Sequence, residues 1–235
     1  MRAARVLARR AGREVEYEAL RAVVNPAARR TAQDEVALRA VLAAVLRPDS
    51  VAVDVGANVG TVLAAIVAVA PAGRHVAFEP IPALAAGLRS RWPAVDVRAA
   101  ACSDVAGRAE FTVAATDTLS RLGAHPGERI EVDVVRLDDA LDGVAPALIK
   151  IDVEGAEVAV VRGAQRVLRE HRPVVVFEHS LGGADSYGTT SEELWDLLDG
   201  CGLRVFDLQG AGPFDRAAFA AQFGRPVWNW LAAPR

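Results

Sequence analysis

An α/β fold, with a mainly parallel sheet and helices on both of its faces, is predicted by three observations. From Ser50 onward, short apolar runs of strand length alternate with helix-length apolar or amphipathic segments, the pattern of a parallel sheet wound with helices. The first run, 51–55, is mostly β-branched and apolar at all but one position, which suits a strand covered on both faces. It leads directly into a glycine-bearing turn, Asp54-Val-Gly56-Ala-Asn58-Val-Gly60, that opens the next helix. In such sheets ligands sit beyond the carboxyl ends of the strands, where the strand order reverses, and the first strand–turn–helix is the usual place.

The elements follow in order. Residues 1–47 read as a helical extension: 31–46 carries Val36, Leu38, Val41, Leu42, Val45 and Leu46, with Asp34 and Glu35 near its start and Pro48 closing it. Residues 48–235 form the main domain. Its expected strands are 51–55, 75–79, 95–99, 147–151, 173–178, 203–208 and 226–231, and its expected helices 61–70, 82–92, 137–141, 155–170 and 190–198. The helix 61–70 is so rich in Ala, Val and Leu that it must pack on a sheet, and 82–92 stacks Leu84, Leu88 and Trp92 at four-residue spacing. Gly163 weakens the middle of 155–170. Thr190 and Glu193 match a capping box, and Gly200 ends that helix. Between about 101 and 135 the alternation breaks: two β-type runs, 109–114 and 130–135, flank a polar segment, an inserted β excursion of the length that often serves function.

Composition narrows the functions. At 235 residues and 52% hydrophobic the chain can bury one substantial core. With 27 basic against 30 acidic residues it lacks the basic excess of a nucleic-acid binder. Cys102 and Cys201 form neither a disulfide framework nor a metal cluster, which fits a reducing, cytoplasmic setting. No apolar run is long enough to span a membrane, and the arginine-rich N-terminus has no apolar stretch behind it, so neither a membrane nor a signal peptide is expected.

Three groups carry chemistry. Asp54 places a carboxylate beside the glycine turn, and Gly56 and Gly60 let the backbone lie close to a ligand. Glu79, in Ala77-Phe78-Glu79-Pro80, lies 25 residues after Asp54 at the end of the second strand, where a nucleotide fold puts an acid to accept hydrogen bonds from both ribose hydroxyls. The middle glycine of a dinucleotide fingerprint is replaced by Asn58, its third glycine falls on Leu63, and no Walker lysine follows. A cofactor with an adenosine and a zwitterionic amino acid fits better than a pyrophosphate. The third group is Lys150-Ile-Asp152-Val-Glu154-Gly-Ala-Glu157: alternation puts Leu148, Lys150 and Asp152 on one side of a strand and Ile149, Ile151 and Val153 on the other. Glu154 and Glu157 suit a helix N-terminus as well as a site. The neighbouring strand ends in Phe177-Glu178-His179, and His179 titrates in the range of a general base.

These motifs resemble the FkbM family of S-adenosylmethionine-dependent methyltransferases. The matching pieces are Val-Asp-Val-Gly-Ala-Asn-Val-Gly (53–60), Ala-Phe-Glu-Pro (77–80), Ala-Ala-Ala-Cys-Ser-Asp-x-x-Gly (99–107), Lys-Ile-Asp-Val-Glu-Gly-Ala-Glu (150–157) and Phe177-Glu178. The family's Ala-x-Gly-Asp after the third strand is altered here to Ala101-Cys102-Ser103-Asp104. The resemblance implies a Rossmann-like class I methyltransferase fold with a seven-stranded sheet, S-adenosyl-L-methionine as cofactor, and O-methylation of a hydroxyl on a natural product or sugar. It places the methionine part on Asp54 and the turn from Gly56 through Asn58 to Gly60, the ribose on Glu79 beside Pro80, and the adenine on Cys102, Ser103 and Asp104. The expected chemistry puts Asp152, oriented by Lys150, nearest the reacting hydroxyl with Glu178 or His179 assisting; Mg²⁺ held by Asp152 and Glu178 is the variant. The expected partner is a small hydroxylated acceptor, with no nucleic acid and no membrane, and a homo-oligomer left open. The acceptor pocket is expected from 116–129, with Asp117, Ser120 and Arg121, and from 181–225. The rival readings are a catalytically silent cofactor-binding partner protein and a nicotinamide-dependent dehydrogenase.

Overall fold

The computed structural model describes residues 26–113, 121–122, 128–179, 187–222 and 229–235. Its centre is a seven-stranded sheet made of β1 (Ala52–Val55), β2 (Val76–Phe78), β3 (Asp96–Arg98), β8 (Leu148–Ile151), β9 (Val174–Glu178), β10 (Leu203–Asp207) and β11 (Asn229–Pro234). The spatial order is β10-β11-β9-β8-β1-β2-β3. Neighbours from β9 to β3 are parallel, and β11 alone runs against them, wedged between β9 and β10. The chain thus winds outward from β1 through β2 to β3, then returns to β8 on the other side of β1, so the order reverses between β1 and β8.

Both faces are covered, as the unbroken apolar character of β1 and β8 requires. On one face α1 (Pro26–Val45) and α2 (Thr61–Val69) bury Leu42, Leu46 and Ile66 against Ala52 and Leu148, while α3 (Pro82–Arg91) packs Ala85 and Leu88 with Leu63 and Ala77. On the other, α5 (Glu157–Arg162), α6 (Gln165–His171) and α7 (Ser191–Gly200) pack Val158, Val161, Leu168, Leu194 and Leu198 with Val53, Val55, Ile149, Ile151 and Phe177. Leu148 and Ile149 therefore face opposite layers, as the alternation requires. Helix α1 is no separate appendage: Leu42 is fully buried, and buried Asp34 accepts hydrogen bonds from Gln209 (2.9 Å) and Asn229 (3.2 Å) at the far end of the sheet.

The excursion is a second sheet, ordered β4-β7-β5-β6, from β4 (Ala100–Cys102), β5 (Gly107–Val113), β6 (Arg121–Leu122) and β7 (Glu128–Val135). Strands β5 and β7 form the expected antiparallel hairpin, whose tip lies outside the described residues. Two predicted elements are corrected. The helix expected over 155–170 is two: the Gly163 carbonyl accepts from the Asp138 N–H at 2.8 Å, and the Asp138 carboxylate accepts from the Arg166 and Val167 N–H groups that open the second helix. Helix α8 (Arg216–Gln222) was not predicted, although Asp215 caps it by accepting from the Ala218 N–H at 2.8 Å. The expected short helix α4 (Leu137–Ala140) and the Thr190 cap of α7, which accepts from the Glu193 N–H at 3.2 Å, are present. Among the described residues no helix is long and apolar enough to cross a membrane.

Candidate active site

The turn after β1 uses left-handed backbone three times, at Gly56 (φ 82°), Asn58 (φ 49°) and Gly60 (φ 84°). Packing within the protein already demands its glycines. A Cβ on Gly56 would strike the Asp152 carbonyl oxygen, and one on Gly60 would strike Leu88 and Trp92 of the α3 region. The turn is thus pressed onto the end of β8 on one side and onto α3 on the other. The Gly56 and Ala57 N–H groups both donate to the Phe78 carbonyl at 3.0 Å, which holds the turn in place. What stays open is a cavity of about 180 Å³ between residues 56–62 and the Lys150–Asp152 end of β8, with Asp54 on its floor. Drug-sized ligand pockets run to about 300–1,000 Å³, so this space suits one end of an extended cofactor rather than the whole.

Asp54 and Lys150 are direct partners in the β1–β8 register, and both are buried. Burial drives the Asp54 carboxyl up to about 7; the Lys150 ammonium pulls the other way, while Asp152 and Glu79 add to the rise, and a hydrogen bond from the Leu63 N–H offsets part of it. Its Oδ2 has no hydrogen-bond partner among the described residues. A buried carboxylate oxygen left unpaired beside an open cavity costs about 1–3 kcal/mol or more. The ammonium of a zwitterionic amino acid is the group that would satisfy it.

Glu79 presents a carboxylate held at both oxygens: Oε2 accepts from the Asn58 N–H and Oε1 from the Ile81 N–H, each at 2.8 Å. Burial raises its pKa, and these two bonds work against the rise. Each oxygen keeps a second lone pair, so the group is aimed and still able to accept from a vicinal diol. Pro80 sits between them, half-buried, and leads to Pro82 at the start of α3. Asp54 and Glu79 therefore fit the two ends of S-adenosylmethionine that the motifs imply.

At the ends of β8 and β9, acids crowd around one base. Lys150 donates to the Ile151 carbonyl at 3.1 Å and places its ammonium 3.2 Å from Asp152 Oδ2. Glu178 is hydrogen-bonded to Asp152, and burial first, then the Asp152 charge, push its pKa upward, with Lys150 opposing. Burial and the neighbouring negative charge thus favour the protonated form of Glu178. The Lys150 ammonium beside Asp152 and the raised Glu178 carboxyl do not favour the Mg²⁺ variant. Among the described residues no cluster of three or more metal-ligating side chains exists.

Not every expected residue reaches this site. His179 is fully buried, stacked on Phe219 at 6.3 Å with its Nδ1 3.7 Å from Glu157 Oε2, so it is not presented to the crevice as a base. Cys102 is buried in the core below β4, and burial pushes its thiol well above the ordinary range. Ser103 bonds Asp104 at 3.2 Å, and Asp104 pairs with Arg162 at 3.5 Å, away from the cavity lining. Asp117 and Ser120 lie outside the described residues, as does the side chain of Arg121. The reading of the sequence missed Val59, Thr61 and Val62 as lining. Their signal was available: half-exposed Val59 and the first turn of α2 directly follow the left-handed Asn58.

The fold is that of the class I S-adenosylmethionine-dependent methyltransferases. Comparison with known proteins places it further. The model of the FkbM methyltransferase domain matches residues 54–205, more than half of the chain. The protein belongs to the FkbM methyltransferase family. The crystal structure of methyltransferase FkbM from Methylobacillus flagellatus is similar over 80% of this chain, with 21% identity and a TM-score of 0.50. This chain spans 44% of that protein's length. A precorrin-6y C5,15-methyltransferase from Geobacter metallireducens aligns over 83% of this chain and 86% of its own, with 15% identity and a TM-score of 0.46. No curated protein matches the sequence.

Proposed function

We propose that this protein methylates a hydroxyl group on a small molecule, such as a natural product or sugar. The observation that carries the reading is the carboxyl pair Asp152–Glu178, braced by Lys150, at the end of the crevice whose other wall holds Asp54 and Glu79. S-Adenosylmethionine, when bound, supplies a methyl group already activated by a sulfonium. The protein's own work is then to align and deprotonate. Asp54 takes the amino group of the methionine end, and Glu79, fixed by two N–H bonds, takes the ribose hydroxyls. Holding the acceptor oxygen in line contributes as much as about 7–11 kcal/mol in favourable cases.

An aliphatic hydroxyl is a weak nucleophile, so its proton must leave as the new bond forms. Asp152 is the base. It is about one-third exposed, so an acceptor can reach it, and the Lys150 ammonium holds it from 3.2 Å. The small acceptor is favoured over a nucleic acid by the acidic balance of the chain, a net charge of −3.

Two measurements test the reading. Calorimetric titration with S-adenosylmethionine and with NAD is expected to show binding of the first alone; tight NAD binding without S-adenosylmethionine binding overturns it. A methyl-transfer screen against hydroxylated small molecules, read by mass spectrometry, is expected to return an O-methyl ether. Transfer confined to nitrogen or carbon, or binding without transfer to any acceptor, overturns the O-methylation.

A further inference from the structure

Asp152 is carried on a loop that cannot hold its own shape. Strand β8 ends at Ile151, and the chain turns into α5 through two residues of positive φ, Glu154 at 55° and Gly155 at 111°. Left-handed backbone at a non-glycine residue persists only where the surroundings impose it. The turn also withdraws the Val153 and Gly155 N–H groups from any sheet or helix ladder, and such groups need a partner when buried. Glu157 supplies it: one carboxylate oxygen, Oε1, accepts from Gly155 at 3.0 Å and from Val153 at 3.3 Å.

This glutamate is the first residue of α5, where an exposed acid would serve the helix dipole equally well. It is instead 1% exposed. Its other oxygen faces Nδ1 of His179 at 3.7 Å. His179 directly follows Glu178 in the chain and is locked in turn, ring against Phe219 and carbonyl accepting from the Trp230 indole N–H at 3.1 Å. The contacts close a ring: Asp152, its loop, Glu157, His179, Glu178, and back to Asp152. On the opposite side Asp152 is fixed by its N–H, which donates to Val55 at 2.9 Å, and by its carbonyl pressed onto Gly56.

We propose that Glu157 is a positioning residue that sets the spacing of the Asp152–Glu178 carboxyl pair, with His179 as the strut that ties it to the end of β9; the meaning of the pair for catalysis rests on the methyl-transfer reading above. Glu157 touches neither cofactor nor acceptor. It acts through the loop it holds, and it gives buried His179 a role without proton transfer to substrate.

The test reads the pair directly in the full chain, by carbon-13 NMR titration of the carboxyl groups. Among the described residues the charged groups that face Glu178 are Asp152, Lys150 and Glu154, and all stay unchanged in the variants. Glu157→Gln keeps an oxygen that can accept both N–H bonds, so the titration of Asp152 and Glu178 is expected to match the unmodified protein. Glu157→Asp withdraws that oxygen by one methylene, so Glu178 is expected to titrate about one pH unit or more closer to an ordinary glutamate as the pair separates. Folding of each variant is checked by its thermal midpoint. Identical titrations in Glu157→Asp and the unmodified protein overturn the proposal, and so does an equal displacement in Glu157→Gln and Glu157→Asp. Affinity for S-adenosylmethionine, measured separately, is expected to stay within about threefold in both variants. A protein that binds no S-adenosylmethionine would refute the methyl-transfer reading, while the carboxyl titration would still decide the role of Glu157.

Discussion

At the ends of β1 and β2 the acids are held by backbone, whereas at the ends of β8 and β9 they are held by one another and a single lysine. Glu79 is gripped by the N–H groups of Asn58 and Ile81, and Asp54 accepts from Leu63. Asp152 leans on Lys150 and Glu178. Backbone donors do not titrate and barely move, so the first wall is a rigid cradle that suits a cofactor of constant shape. Charged side chains exchange protons, so the second wall suits a reacting group whose charge changes during turnover. The two walls join along β1 and β8, and at the end of that seam Gly56 closes on the Asp152 carbonyl.

The sharpest way to separate the walls is to disable one. Asp152→Asn is expected to lower kcat by about 10²–10⁴-fold, the usual range for a general base, while S-adenosylmethionine affinity changes little. Steady-state kinetics beside calorimetry would show the split; near-normal turnover removes Asp152 from the role. Striking the meeting point instead should damage both walls. Gly56→Ala forces a Cβ onto the Asp152 carbonyl at a φ of 82°, and is expected to cost about 2–5 kcal/mol of stability in a denaturant titration.

Glu79→Ala probes the cradle alone. Hydrogen bonds to a charged acceptor are worth about 1.5–3 kcal/mol each, so S-adenosylmethionine should bind at least tenfold more weakly with the fold intact. Unchanged affinity in that variant would move the ribose elsewhere.

Acid should distinguish the walls next. The Asp54 carboxyl is raised by burial from 3.8 to about 7, so between those values the folded chain holds a proton that the unfolded chain has released. Through this group the ligand-free protein gains stability as the pH falls from about 7 toward 4, and loses it again as the pH rises. Binding of a cationic amino group has the opposite sign, because it needs the ionised carboxylate. Affinity for S-adenosylmethionine is expected to drop by about tenfold per pH unit below 7, and Asp54→Asn should flatten that slope. The smallest effect belongs to Arg162→Ala. Its ion pairs with Asp104 and Glu193 are about 40% exposed on the arginine side, and surface pairs contribute about 0–1 kcal/mol. Thermal melts should barely shift, and a tenfold loss of cofactor affinity in this variant would put Asp104 back beside the adenine.

Local pattern made much of this legible. Each strand of the parallel core announced itself by an apolar run, and Asp54, Glu79, Lys150 and Asp152 stand at strand ends because the chemistry-bearing residue follows directly on the run that buries the strand. Helix α8 escaped because seven residues, mostly small and apolar, show no period, although the Asp215 cap preceded them. Gly163 marked the weak point of its helix, but the Asp138 side chain that opens the second helix there is distant in sequence and was not legible.

His179 shows where reading along the chain ends. A histidine after a strand-end glutamate is expected at the crevice, but β11 returns antiparallel beside β9, and its Trp230 together with Phe219 of α8 closes over the ring. The burial of the Cys102 thiol was likewise not legible, since β4 joins the second sheet and turns it into the core. By itself the sequence determined the fold class, the crevice and the acids on its two walls, because strand alternation and turn glycines act within a few residues. Only the tertiary structure decided why Gly56 must be glycine, that Glu178 is buried against Asp152, and that Glu157 holds the loop behind them. Those depend on desolvation and contact between strands distant in sequence, which no local pattern encodes.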